Sequence, residues 1–104
     1  MSTKNLQRAL TADELKRIAG RFKMLGEPMR LKILQSVCKQ PLTVSDIVAA
    51  TGSTQANVSK HLALLALAGI LEREKDGQCV YYGVKDQLAV KMCELVRTQL
   101  NNGF

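Results

Sequence analysis

The stretch Thr43-Val44-Ser45-Asp46-Ile47-Val48-Ala49-Ala50-Thr51-Gly52-Ser53-Thr54-Gln55-Ala56-Asn57-Val58-Ser59-Lys60-His61-Leu62-Ala63-Leu64-Leu65 decides the fold. Thr43, with Asp46 three residues on, is a variant of the capping box and opens a short helix, Val44 to Thr51. Val44, Ile47 and Val48 face inward from it. Gly52 suits the position just past a helix end, where the backbone turns left-handed. Thr54 is a good N-cap for the next helix, Gln55 to about Ala68, which Gly69 closes. Val58, Leu62 and Leu65 recur at helical spacing and give that helix one apolar stripe. Two short helices joined through a tight glycine turn make a helix-turn-helix.

Downstream the texture changes. Ile70 to Lys75 reads as a strand, Asp76-Gly77 is the strongest short hairpin signal in the chain, and Gln78 to Val84 reads as the returning strand. Alternation puts Val80, Tyr82 and Val84 on one face and Cys79 and Tyr81 on the other. Lys85 to about Leu100 is a last helix with Leu88, Met92, Leu95 and Val96 as its stripe, widened by Ala89, Cys93 and Leu100.

Upstream, Thr11 and the acidic Asp13 and Glu14 open a helix whose Leu15, Ile18, Phe22 and Leu25 form a stripe and which Gly26 ends. Pro28 stands where the first position of a second helix belongs. Leu31, Leu34, Val37 and Cys38 follow as its core stripe with Ile33 beside them, and Pro41 forces its end. Met1 to Leu10 reads as a mobile arm, and residues 11–104 as a single domain. The expected fold is mainly α with a β-hairpin wing, a winged helix-turn-helix in the order α-α-α-α-β-β-α.

Composition agrees. The 104 residues suffice for one core and not for two domains. Aromatic content of 4% and abundant helix formers argue against a β-sandwich. Fifteen Lys and Arg against nine Asp and Glu leave a net charge of +6, which calls for an anionic partner. No apolar run reaches the ~20 residues of a membrane span, and the start has no signal-peptide core, so the expectation is a cytoplasmic protein without membrane partners. Three widely spaced Cys and one His make a disulfide framework or a metal site unexpected, and no cofactor is called for.

Three motifs in order resemble the ArsR/SmtB family of bacterial repressors: Leu25-Gly26-Glu27-Pro28-Met29-Arg30-Leu31-Lys32-Ile33-Leu34, then Thr54 through Leu65 as the recognition helix, then Gly69-Ile70-Leu71 through Gly77-Gln78-Cys79-Val80-Tyr81-Tyr82 as the wing. The resemblance covers residues 12–100. It implies a homodimer that represses transcription and releases DNA when an inducer binds. Two departures stand out. Where arsenic- and cadmium-sensing members often carry Cys-Val-Cys, this chain has Leu42-Thr43-Val44-Ser45-Asp46. Where zinc-type members carry Asp and His on the last helix, Asp86 to Gln99 holds no His.

A recognition helix presents short polar side chains to base edges in the major groove. Opposite Val58, Leu62 and Leu65 lie Ala56, Ser59, Lys60 and Ala63, with Gln55 and Asn57 on the flanks. Between Pro41 and Leu71 only Asp46 and Lys60 are charged. Thr54, Gln55, Asn57, Ser59 and Lys60 are therefore the expected contacts to double-stranded DNA, with Gln and Asn suited to adenine. The wing's Arg73, Lys75 and Gln78 would meet phosphate, although Glu72, Glu74 and Asp76 dilute their charge. Lys32 and Lys39 are further phosphate candidates. His61, beside the inward stripe, reads as a partly buried structural histidine.

The apolar first and last helices exceed what one small domain can cover, and together with the family resemblance this implies a two-fold dimer and an inverted-repeat operator with half-sites ~34 Å apart. The inducer is unknown. Cys38 and Cys93 are the candidate thiol sensors, on the two helices where some family members sense reactive sulfur; the plainer reading makes all three thiols packing residues. The chain reads as no enzyme: it lacks a Cys-x-x-Cys motif, and its one His precedes the nearest Cys by 18 positions. The alternatives are a winged-helix protein-interaction module without DNA binding and a constitutive regulator without an inducer.

Overall fold

The computed structural model describes residues 8–103. Five helices and a three-stranded antiparallel sheet follow in the order α1 (Ala12–Leu25), α2 (Pro28–Val37), β1 (Leu42–Thr43), α3 (Val44–Thr51), α4 (Gln55–Leu67), β2 (Leu71–Asp76), β3 (Cys79–Val84) and α5 (Gln87–Asn101). Most of the expected arm, residues 1–7, lies outside the described residues, as does Phe104. No helix among those described is long and apolar enough to cross a membrane.

Local chemistry sets the helix ends. Thr11 and Glu14 form a complete capping box at α1, each side chain accepting the other's backbone N–H. The Glu27 carboxylate accepts from the N–H groups of Met29 and Arg30 and starts α2, with Pro28 in its first turn. Thr43 and Thr54 cap α3 and α4. Past α4, Gly69 takes φ of +76°, and Ile70 N–H reaches back to Leu65 while Gly69 N–H reaches Ala66, the paired bonds of a Schellman turn.

The core sits where α2, α3, α4 and the base of the hairpin converge. Ile33, Leu34, Val37, Ile47, Val58, Leu62, Leu65, Ile70 and Leu71 are buried there, with Leu25 and Ala89 at its margin. Tyr82 and Val84, on the expected face of β3, pack against it.

Three expectations need correction. The sheet has a third strand: Leu42 and Thr43 pair with Tyr82 and Tyr81, making β3 central. Two residues are too few to show a period of two, so no pattern announced it. The hairpin loop falls one residue later than the Asp76-Gly77 signal suggests. Asp76 pairs with Cys79, leaving Gly77 and Gln78 as the loop. Gly77 alone has positive φ, +64°, as the first central position of a II′ turn requires. Cys38 is not on the core stripe. Helix α2 ends at Val37, so Cys38 is its cap residue, exposed, with its thiol donating to Gln35 O at 3.1 Å.

Candidate nucleic-acid interface

Helix α4 is packed on one side and open on the other. Val58, Leu62 and Leu65 are fully inside, whereas Gln55, Ala56, Ser59, Lys60 and Ala63 are exposed. Thr54 Oγ1 accepts from Asn57 N–H at 3.1 Å, and this fixes the helix start. The N–H groups of a helix's first turn have no partner within the helix, so this end favours an anion. Ala56 and Ala63 are small, so little side chain covers the helix backbone on this face. Lys60 stands alone as the charge on this face.

Asn57 differs from its neighbours. It is half-buried, and its Nδ2 donates to Ser53 Oγ at 2.9 Å. The side chain thus ties the turn to α4 as well as flanking its open face. Of the phosphate candidates on α2, Lys32 turns its ammonium to the Thr51 carbonyl, 3.5 Å away at the end of α3, while Lys39 is exposed.

In the wing, Arg73, Lys75 and Gln78 are all exposed. Register sorts the mixed charges. Arg73 lies opposite Tyr82 and Lys75 opposite Val80, so both cations share a face with Leu71 and Val84. Glu72, Glu74 and Asp76 fall on the other face, with Tyr81 and Cys79. The acidic residues therefore do not alternate with the cations on one surface. The neighbouring Cys79, then burial and the nearby Asp76 and Asp46, push the pKa of the Tyr81 hydroxyl up.

Two arginines that patterning missed hold α4 in place. Arg30 Nε donates to His61 Nδ1 at 3.2 Å, and its Nη1 reaches Met24 O at 3.3 Å, joining the end of α1 and the start of α2 to α4. Arg21 Nη1 donates to Ala68 O at 3.0 Å, at the other end of α4, and lies 3.7 Å from Asp86, the N-cap of α5. The Glu27-Pro28 pair three and two residues before Arg30 is a helix-start signature and could have drawn attention to that arginine. Nothing in the sequence marks Arg21, whose partners are distant in the chain. His61 is buried and hydrogen-bonded, as its position beside the stripe suggested.

The thiols occupy different settings. Cys38 and Cys93 both line an open groove of about 800 Å3 between α2 and α5, rimmed by Lys32, Lys39 and Arg97. Cys93 is half-buried, and burial pushes its thiol pKa up. Cys79 is exposed on the wing. A second groove, apolar and about 430 Å3, lies among α1, α2 and α5, lined by Phe22, Leu25, Leu31, Met92, Val96 and Leu100. Among the described residues no group of three or more His, Cys, Asp or Glu could hold a metal ion.

Comparison with known proteins places this architecture. Residues 27–73, from the α2 cap to the middle of β2, match the family of bacterial regulatory proteins named for arsR. The chain is 35% identical over 79 residues to the cadmium resistance transcriptional regulatory protein CadC of Listeria innocua, covering 75% of this chain and 66% of that protein. It is 32% identical over 76 residues to an uncharacterized HTH-type transcriptional regulator of Methanocaldococcus jannaschii, covering 72% and 85%. Among solved structures, the homodimeric winged helix-turn-helix DNA-binding domain of a Mycobacterium bovis protein superposes with a TM-score of 0.75 at 26% identity, covering 89% of this chain and 90% of that one. The chain belongs to the arsR family of bacterial regulatory proteins and has the winged helix-turn-helix fold.

Proposed function

We propose that this protein is a cytoplasmic, homodimeric transcriptional repressor that reads an inverted-repeat operator with α4 and releases it when an inducer acts. The observation that carries the reading is the open face of α4: a capped helix start, short side chains, and Lys60 as its one charge, on a helix whose other face is locked in the core. Gln55, Ser59 and Asn57 would read base edges, Thr54 and the helix start would take a phosphate, and Arg73, Lys75 and Gln78 would follow the backbone from the wing. The apolar faces of α1 and α5 would meet a second copy. The homodimeric M. bovis relative supports that assembly.

The test is fluorescence anisotropy with the duplex upstream of the protein's own gene. Binding that saturates and weakens steeply with salt is expected. Absence of binding at any salt would favour the protein-interaction module instead.

One observation favours thiol control over a constitutive regulator: Cys38 and Cys93 line the same groove, between a helix of the reading unit and a helix of the expected dimer face. An oxidised or persulfidated thiol there would wedge α2 from α5. Treatment with diamide should weaken operator binding in the parent and leave a Cys38→Ser, Cys93→Ser double variant unchanged. Equal binding by treated and untreated parent would reduce both cysteines to packing.

A further inference from the structure

His61 is the only histidine in the chain, and it sits on α4 between the core anchors Val58 and Leu62. Its ring has two facing partners. Arg30 Nε donates to Nδ1 at 3.2 Å, and Glu27 Oε2 lies 3.7 Å from Nε2. A guanidinium nitrogen is a donor only and keeps its charge at every pH of interest. Nδ1 must therefore present a lone pair, and the ring proton resides on Nε2, towards the Glu27 carboxylate.

The partners are themselves fixed. Glu27 accepts from the backbone N–H of Met29 at 3.2 Å and of Arg30 at 3.1 Å, and these bonds, that of Met29 foremost, hold its carboxyl below the usual range. Arg30 also donates to the Met24 carbonyl at 3.3 Å and touches its sulfur at 3.2 Å. Met24 belongs to the last turn of α1. One guanidinium therefore spans the α1–α2 junction and the buried side of α4.

We propose that Arg30 is a positioning residue for the recognition helix, acting through the unprotonated Nδ1 of His61, so that operator binding requires the neutral ring and weakens as pH falls. The inference rests on the DNA-binding reading above. A proton added at Nδ1 sets N–H against N–H across 3.2 Å and puts two positive charges together. Arg30 must then leave. The imidazolium keeps Glu27, and among the described residues no other charged group of α1, α2, α3, α4 or β2 makes a hydrogen bond or ion pair with the ring. The molecule has two arrangements, Arg30 docked with a neutral ring and Arg30 released with a charged one. DNA that binds the docked arrangement better competes with the proton, and linkage makes the effect reciprocal. The sign is diagnostic. A histidine that simply touched phosphate would bind DNA more tightly when protonated.

The test uses the full-length protein, 15N-labelled at its one histidine, and the duplex upstream of its own gene. Ring 15N shifts above pH 7.5 should show Nε2 protonated and Nδ1 bare. The ring's titration midpoint should fall when the duplex is added. Affinity by anisotropy should drop about tenfold or more from pH 7.5 to 5.5, within the range usual for coupled sites. His61→Gln, whose amide can accept from Arg30 and donate to Glu27 without titrating, should bind well and lose this pH dependence. Arg30→Ala should bind poorly at pH 7.5, and Arg30→Lys should recover part of the loss; thermal melts check that each variant is folded. A ring protonated at Nδ1, binding that is flat or tighter at pH 5.5, or a His61→Gln variant that keeps the parent's pH slope would each overturn the inference. No DNA binding at any pH would instead defeat the DNA-binding reading and take this inference with it.

Discussion

Helices α4 and α5 carry the same kind of apolar stripe, and the fold treats them in opposite ways. On α4, Val58, Leu62 and Leu65 are 0–1% exposed. On α5, Leu88, Leu95, Val96 and Leu100 remain 58–68% exposed, and on α1 so do Leu15, Ile18 and Phe22 at 43–58%. Periodicity tells which face of a helix is apolar. It does not tell what covers that face. The α2–α3–α4 unit and the hairpin base satisfy each other within one chain, while α1 and α5 leave large apolar side chains exposed, with Phe22, Met92, Val96 and Leu100 meeting in one groove. The α2–α3–α4 unit closes on itself, whereas the stripes of α1 and α5 stay bare in the single chain, where the proposed dimer would cover them.

The strongest way to break this contrast is to cut into the closed unit. Leu62→Ala removes a side chain packed on every side and should cost ~2–5 kcal/mol, lowering the melting temperature by about 10 °C or more. A drop within a degree or two in a thermal melt would mean that the unit is loosely packed. On the open side, Leu95→Glu should leave helix content intact by circular dichroism. It should convert a dimer to a monomer by sedimentation and weaken operator binding about a hundredfold, because two linked readers lose their mutual reinforcement. A Leu95→Glu protein that stays dimeric would move the interface elsewhere.

Lys60→Ala sharpens the outward face of α4. It should weaken binding across all sequences and reduce the slope of log affinity against log salt by about one per protomer. An unchanged slope would remove Lys60 from the phosphate contacts. The smallest effect is at the start of α1. Glu14 is held below the usual carboxylate range, chiefly by the Thr11 backbone N–H. A group lowered in the folded state stabilises it fully above the unfolded value and loses that contribution as pH falls through the folded value. The parent should therefore lose stability as pH falls below about 4.5, and Glu14→Gln should lose slightly less over the same window. Identical acid profiles for the two proteins would contradict the capping box.

Much of this contrast was legible in the residues. Capping threonines at 11, 43 and 54 and glycines at 26, 52 and 69 marked the helix ends to within a residue or so, because those ends are made by local chemistry. The stripe of α4 was read correctly for the same reason. What escaped notice depends on residues distant in the chain. The strand Leu42–Thr43 exists only because Tyr81 and Tyr82 arrive beside it. Cys38 sits at the spacing of a core residue, but the helix has already ended. No local pattern assigns Arg21 or Arg30 a role, and their partners, 47 and 31 residues away, are what give them a task. Wing charges that looked mutually diluting are sorted by register, which sequence alone fixes only once the turn is placed.

The most direct test of the account is the mass of the complex in solution. Sedimentation of the protein with a fluorescent duplex from upstream of its own gene should give two chains per duplex at the lowest concentration that binds, with the free protein already a dimer. A complex of one chain per duplex, or a free protein that is monomeric with its α1 and α5 faces bare, would contradict the claim that the closed unit reads DNA only as half of a pair.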